Sequence, residues 1–174
     1  HPTDGKIFFE SIDVNELKKK DLSLLRRKIG MIFQDFRLLP NKTAYENIAF
    51  AMEAAGRKDE EIHESVPQVL ELVNLTEKSW HFPHELSGGE KQRVAIARAL
   101  VIQPDVIIAD EPTGNLDPLN TWEIIQILRK INDMGTTILM ATHNKAVIDS
   151  LGKRVITMEK GKIIRDDKEG RYIL

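Results

Sequence analysis

Two adjacent acids, Asp110 and Glu111, close the apolar run DVIIADE (105–111). Carboxylates directly after a buried strand are costly to place unless they are used. Asp110 is suited to hold a divalent cation through water, and Glu111 to polarise an attacking water. The competing account is a buried strand that happens to end in two acids and Pro112. A second signal is LSGGEKQRVAIARAL (86–100), where Ser87, Gly88 and Gly89 open onto a helix. The first backbone N–H groups of a helix lack intrahelical partners and, with the helix dipole behind them, suit a phosphate. Ser87 to Glu90 also reads as a capping box, so a helix start without a ligand competes with the phosphate reading. Gln34 and His143 each end a further apolar run. Taken singly, each fits a structural role as well as a role toward magnesium or a γ-phosphate. The phosphate loop G-x-x-x-x-G-K-[ST] does not occur in the 174 residues.

These residues need strands and helices to bring them together. KIGMIFQD (28–35), DVIIADE and TTILMATH (136–143) are nearly continuous apolar runs, as expected of strands buried on both faces. RVITMEKGKIIR (154–165) reads as a hairpin around Lys160-Gly161. In 119–133, Ile124, Ile127, Leu128 and Ile131 form one helical stripe behind an Asp117 cap and Pro118. Residues 41–100 carry helical patterns and no strand. Thr43 to Glu46 is a capping box opening a helix that Gly56 ends. A second helix over 58–73 contains Pro67, where a break or bend is expected. The layout is an α/β parallel sheet with a helical insertion, in a single domain: 1–40 and 101–174 form the α/β core, and 41–100 a helical subdomain.

Composition excludes several alternatives. With 25 basic and 27 acidic residues the net charge is −2, which gives no sign of a basic face for nucleic acid and leaves only a local patch open. The chain has no cysteine, so disulfides and thiolate metal sites are out. No apolar run reaches the length of a membrane span, and the opening HPTDGKIFFE is too polar for a signal peptide. Membrane contact is therefore expected through a partner.

Order along the chain sharpens the picture. Gln34, the Ser-Gly-Gly turn, Asp110-Glu111, Asn115-Leu116-Asp117 and His143 follow one another at strand ends and loop tips, where parallel α/β sheets bind ligands. In this order the chain resembles the nucleotide-binding subunit of ABC transporter-type ATPases from about residue 2 to 165. LSGGEKQRVAIARAL matches the family signature, VIIADEP its Walker B strand, GNLDP its D-loop and His143 its switch histidine. LRRKIGMIFQDFRLLPNKTAYENI, ADEPTGNLD and MATHN are similar to the cell-division branch, and ADEPTGNLD is shared with lipoprotein-releasing and macrolide-export subunits.

The resemblance implies a P-loop NTPase (RecA-like) fold, with ATP and Mg2+ as cofactors and ATP hydrolysis as the activity. It makes Glu111, His143 and Gln34 catalytic, puts Ser87, Gly88, Gly89 and Asp117 at the nucleotide and the dimer interface, and gives Asp110 and Gln34 to the metal. A second copy of the subunit would close an ATP sandwich, with the 87–89 turn of one copy capping the γ-phosphate held by the other. A membrane-embedded permease would dock around 36–45 and the helical insertion. The protein would then sit peripherally on the cytoplasmic face of the membrane, without a nucleic-acid partner. The family's first strand and phosphate loop have no counterpart in 1–174, so this stretch alone is expected to lack most nucleotide affinity. That strand is expected beside the Walker B strand, 105–110, leaving the run DVIIA (105–109) as an open edge. Three other readings compete with the cell-division branch: a sister subunit of a lipoprotein-releasing or macrolide-export transporter, a DNA-repair ATPase, which would carry long heptad segments that this chain lacks, and an interaction module without nucleotide.

Overall fold

A computed structural model describes residues 2–168 and 170. The chain opens with a small antiparallel hairpin, β1 (Phe8–Phe9) and β2 (Ile12–Asp13), turned through a left-handed Glu10. A single helical turn (Val14–Glu16) and helix α1 (Lys19–Arg27) lead into β3 (Ile29–Ile32). Three helices follow with no strand between them: α2 (Ala44–Ala54), α3 (Asp59–Leu72) and α4 (Gly88–Leu100). The chain then alternates through β4 (Val106–Asp110), α5 (Pro118–Asp133), β5 (Thr137–Ala141) and α6 (Lys145–Leu151), and ends in the hairpin β6 (Val155–Glu159) and β7 (Lys162–Asp167).

Local signals account for the helix boundaries. The Thr43 side chain accepts from the Glu46 N–H, while the Glu46 carboxylate accepts from the Thr43 N–H at 2.7 Å, so α2 starts on a complete capping box. Gly56, at φ +76°, lies just past its end. Asp117 caps α5 ahead of Pro118, and the predicted stripe Ile124, Ile127, Leu128 and Ile131 is buried. The helix α3, however, runs unbroken through Pro67. Pro67 and His63, whose carbonyl loses its bond to residue 67, both face solvent, where water can serve that carbonyl. Val66 and Leu70 on the opposite side are fully buried and hold the helix across the defect.

The sheet is parallel and ordered β3-β4-β5, with Met31 opposite Ile108 and Ile108 opposite Leu139. This order overturns one expectation. β4 is paired on both sides, and among the described strands of this sheet it is β3 and β5 that have a single neighbour each. Burial on both faces also fails for β5, whose Leu139 is 59% exposed, because none of the described elements covers that face. β4 fits the expectation better, with Ile107 and Ala109 fully buried.

Helix α4 ties the sheet to the all-helical stretch. It packs on α2 and α3 on one side and on β3 on the other, with Val94, Ile96 and Ala97 wholly buried. The approach to β3 is close enough to require glycine: a Cβ on Gly30 would stand 2.8 Å from the Ala99 carbonyl oxygen and 3.1 Å from the Ile107 side chain. The carbonyl belongs to helix backbone and cannot swing aside. Gly30→Ala is therefore expected to destabilise the fold by about 1–3 kcal/mol, read as a lower urea midpoint at unchanged slope. An unchanged midpoint would show that α4 can slide off the sheet at no cost.

Candidate functional site

The site lies at the carboxyl end of the sheet, where β3, β4 and β5 release their chains into loops. β4 ends at Asp110, in register with Ala141 of β5. The Glu111 N–H still donates to the Ala141 carbonyl at 2.9 Å, but Glu111 itself turns left-handed, at φ +45°. A non-glycine residue in that region is uncommon and strained, and here it swings the carboxylate across to the end of β5. There Glu111 Oε1 accepts from the His143 backbone N–H at 3.0 Å and meets His143 Nδ1 at 2.5 Å. Its other oxygen accepts from the Thr142 hydroxyl at 3.2 Å. Thr142 Oγ1 in turn accepts from the Asn144 N–H at 3.1 Å, which leaves the hydroxyl proton to point at Glu111.

Gln34 lies beyond the end of β3. Its Nε2 donates to Asn115 Oδ1 at 3.2 Å, and Asn115 Nδ2 returns a bond to the Gln34 carbonyl at 3.3 Å. With Nε2 so used, Oε1 is the amide's acceptor for anything else in the site. The pairing is tight enough that a Cβ on Gly114 would meet Gln34 Nε2 at 2.8 Å.

The 87–89 turn forms the third element. Ser87 Oγ accepts from the Glu90 N–H, and Glu90 accepts from the Ser87 N–H at 2.7 Å, so the Ser87 side chain is engaged as a cap. Gly88 and Gly89 form the first turn of α4 and pack against the segment after Asn115. A Cβ on Gly88 would touch the Leu116 side chain at 3.5 Å, and one on Gly89 would overlap the Asn120 amide. Asp117, three residues before that amide, accepts from the Leu119 and Asn120 N–H groups at 3.0 Å each and from Asn120 Nδ2 at 2.5 Å. From inside the molecule Gln92, fully buried on α4, donates to the Pro112 carbonyl at 2.7 Å and holds the loop after Glu111 against that helix.

The structure thus joins Glu111 to His143, Gln34 to Asn115, and the glycine turn to the Asp117 cap. Asp110 points out of the end of β4 and is exposed, with no contact to those groups among the interactions described. Thr142, Gly114 and Asn120 were not singled out from sequence. Thr142 carried a usable signal in its place beside His143, and Asn120 in its capping distance from Asp117; Gly114 carried none.

Hydrogen bonding also sets the acidity of the three caps. The Glu46 carboxyl is held below the usual carboxylate range by the Thr43 N–H, then by the Thr43 hydroxyl. Glu90 is held low by the Ser87 N–H, against some desolvation, and Asp117 by the Asn120 N–H and then its side-chain amide. A depressed folded pKa contributes stability that is present above the ordinary carboxyl value, about 4, and is lost as the pH falls through the folded value. The melting temperature is expected to stay level from pH 7 to 5 and to drop below about pH 4, with Glu90→Gln shallowing that drop. Thermal unfolding followed by circular dichroism across this range checks it. An unchanged acid limb in Glu90→Gln would remove Glu90 from the acid-labile set.

As to what could be bound, no three His, Cys, Asp or Glu side chains gather as a metal cage among the described residues. One exposed carboxylate and one amide oxygen instead suit Mg2+, which keeps several waters and takes few protein ligands. The outward N–H groups at the start of α4 suit a phosphate.

The family model described as ABC transporter matches residues 1–114. The cell division ATP-binding protein FtsE of Streptococcus pneumoniae is 54% identical over 168 residues, covering 97% of this chain and 73% of that protein. FtsE of Bacillus subtilis is 52% identical over 171 residues, with 98% and 75% covered. The methionine import ATP-binding protein MetN of Carboxydothermus hydrogenoformans is 43% identical over 166 residues, 95% of this chain and 49% of that one. Among solved structures, a dimeric post-hydrolysis state of the ATP-binding cassette MJ0796 bound to ADP and Pi superposes with a TM-score of 0.84. It is 36% identical and covers 98% of this chain and 76% of that one.

Proposed function

Because the chain belongs to the ABC transporter family of ATP-binding subunits, which are ATPases, we propose that it binds and hydrolyses MgATP at the carboxyl end of its sheet and drives a membrane permease. The observation that carries this is the strained Glu111, aimed by β4 and gripped by His143 and Thr142. Mg2+, when bound, supplies charge neutralisation for the phosphates and the leaving group. Asp110 would hold it through water, with Gln34 Oε1 as a second oxygen toward the metal and the attacking water. Glu111 accepts the proton of the attacking water or orients it. His143, moving off Glu111, offers its ring N–H to the γ-phosphate. Ser87, Gly88 and Gly89 close over the γ-phosphate held by a second copy, and Asp117 braces the interface between the copies.

The permease is proposed to be FtsX-like, with control of cell-wall hydrolysis at division as the output and a peripheral position on the cytoplasmic face of the membrane. Support comes from the FtsE relatives and from a shallow apolar groove between β3, α2 and α4. Phe33, Leu39 and Phe50 line it, the last 43% exposed, and it adjoins the 36–45 segment expected to receive the partner. None of the helices among the described residues is long and apolar enough to cross a membrane. Affinity purification from native membranes, followed by identification of the co-purifying permease, tests this part. An FtsX-like protein is expected. A methionine, lipoprotein or macrolide permease would overturn the division role and leave the ATPase chemistry standing.

A further inference from the structure

The loop after Gln34 contains two consecutive left-handed residues that are not glycine, Phe36 at φ +60° and Arg37 at φ +47°. Each is unfavourable in that conformation, so something must hold the pair. At its far end the loop is fixed by buried Asn47, whose Oδ1 accepts from the Leu39 N–H at 2.7 Å and whose Nδ2 donates to the Leu39, Lys42 and Thr43 carbonyls. At its near end Gln34 is held by Asn115. The strained middle is held from α4. Arg98 Nη2 donates to the Phe36 carbonyl at 2.9 Å and Nη1 to the Arg37 carbonyl at 2.6 Å. A planar guanidinium fork matches two adjacent carbonyls in a way that a single ammonium cannot, and its charge strengthens both bonds.

We propose that Arg98 is a positioning residue that seats the Gln34 loop on the last turn of α4. The first turn of the same helix bears Gly88 and Gly89, with Ser87 as its cap, about 15 Å away along a rigid rod. One helix therefore sets both the phosphate-facing turn and the place of Gln34. The consequence for Gln34 rests on the role given to it above, whereas the seating of the loop does not.

Hydrogen exchange of the full chain, without nucleotide, separates the two. In Arg98→Met the amides of residues 36–38 are expected to exchange about 10-fold faster or more, the factor that goes with losing a charge-assisted hydrogen bond. The Leu39 amide on Asn47 and the amides of α4 should keep their protection. Arg98→Lys should recover part of it, and carries the same test if the Met variant does not fold. Unchanged exchange at 36–38, or acceleration spread over α4, would overturn the proposal. In a hydrolysing form of the protein, the loss of phosphate release in Arg98→Met should not multiply with that of Gln34→Ala. Multiplying losses would show that Arg98 acts elsewhere. If neither variant slows hydrolysis while 36–38 is loosened, the seating stands and the role of Gln34 falls.

Discussion

Glu111→Gln is expected to lower MgATP turnover by about 10²- to 10⁴-fold, the usual range for removing a general base, while nucleotide binding persists. The carboxylate is all acceptor, and it now receives bonds from the His143 N–H and the Thr142 hydroxyl. An amide of the same shape replaces one acceptor with a donor. The oxygen can keep the His143 N–H only if the amide nitrogen faces Thr142, whose hydroxyl must then turn to accept, and the proton of the attacking water has no anion to move to. The backbone that aims residue 111 is unaffected, because the left-handed turn is held by the bond from its own N–H to Ala141. Steady-state phosphate release and equilibrium ATP binding, measured on protein that includes a phosphate loop, separate the two effects. Unchanged release would take Glu111 out of its proposed role, and lost binding would make it a nucleotide ligand.

The largest stability change is expected from Ile131→Ala. Ile131 is the last residue of the α5 stripe and is fully buried. Truncation removes three carbons from a packed core and leaves a cavity that the rigid sheet behind it cannot fill, at a cost of about 2–5 kcal/mol. That is a large share of the 5–15 kcal/mol typical of a folded domain. Leu119 on the same helix is 80% exposed, and Leu119→Ala should stay within about 0.5 kcal/mol. Urea unfolding of both variants provides the comparison. Equal midpoints would mean that α5 does not pack through this stripe.

That stripe was legible in the sequence because helical burial repeats every three to four residues and needs no knowledge of the partner. So were the Thr43 to Glu46 and Asp117 caps, whose partners lie within three residues. Strand order was not legible. An apolar run such as TTILMATH reports its own hydrophobicity and nothing about what pairs with it, so β5 was expected to be covered on both faces although Leu139 is open. The two-residue strands β1 and β2 are too short to show alternation, and α1 was likewise passed over. Pro67 misled for a physical reason: the expected cost of proline presumes a buried helix interior, and here the broken bond faces water. At the site, Gln34, Asp110, Glu111 and His143 stood out as polar residues closing apolar runs. Thr142 and Arg98 did not, since their partners are 31 and about 61 residues away and meet them only after folding.

Sedimentation velocity of Glu111→Gln protein that includes a phosphate loop, with and without MgATP, bears most directly on the claim that this chain closes MgATP between two copies. The slow variant should accumulate the closed state, so MgATP is expected to convert monomer to dimer. Gly89→Ala, whose Cβ would drive the Asn120 amide off Asp117, should weaken that conversion. A sedimentation coefficient unchanged by MgATP, or a dimer equally present without it, would contradict the account.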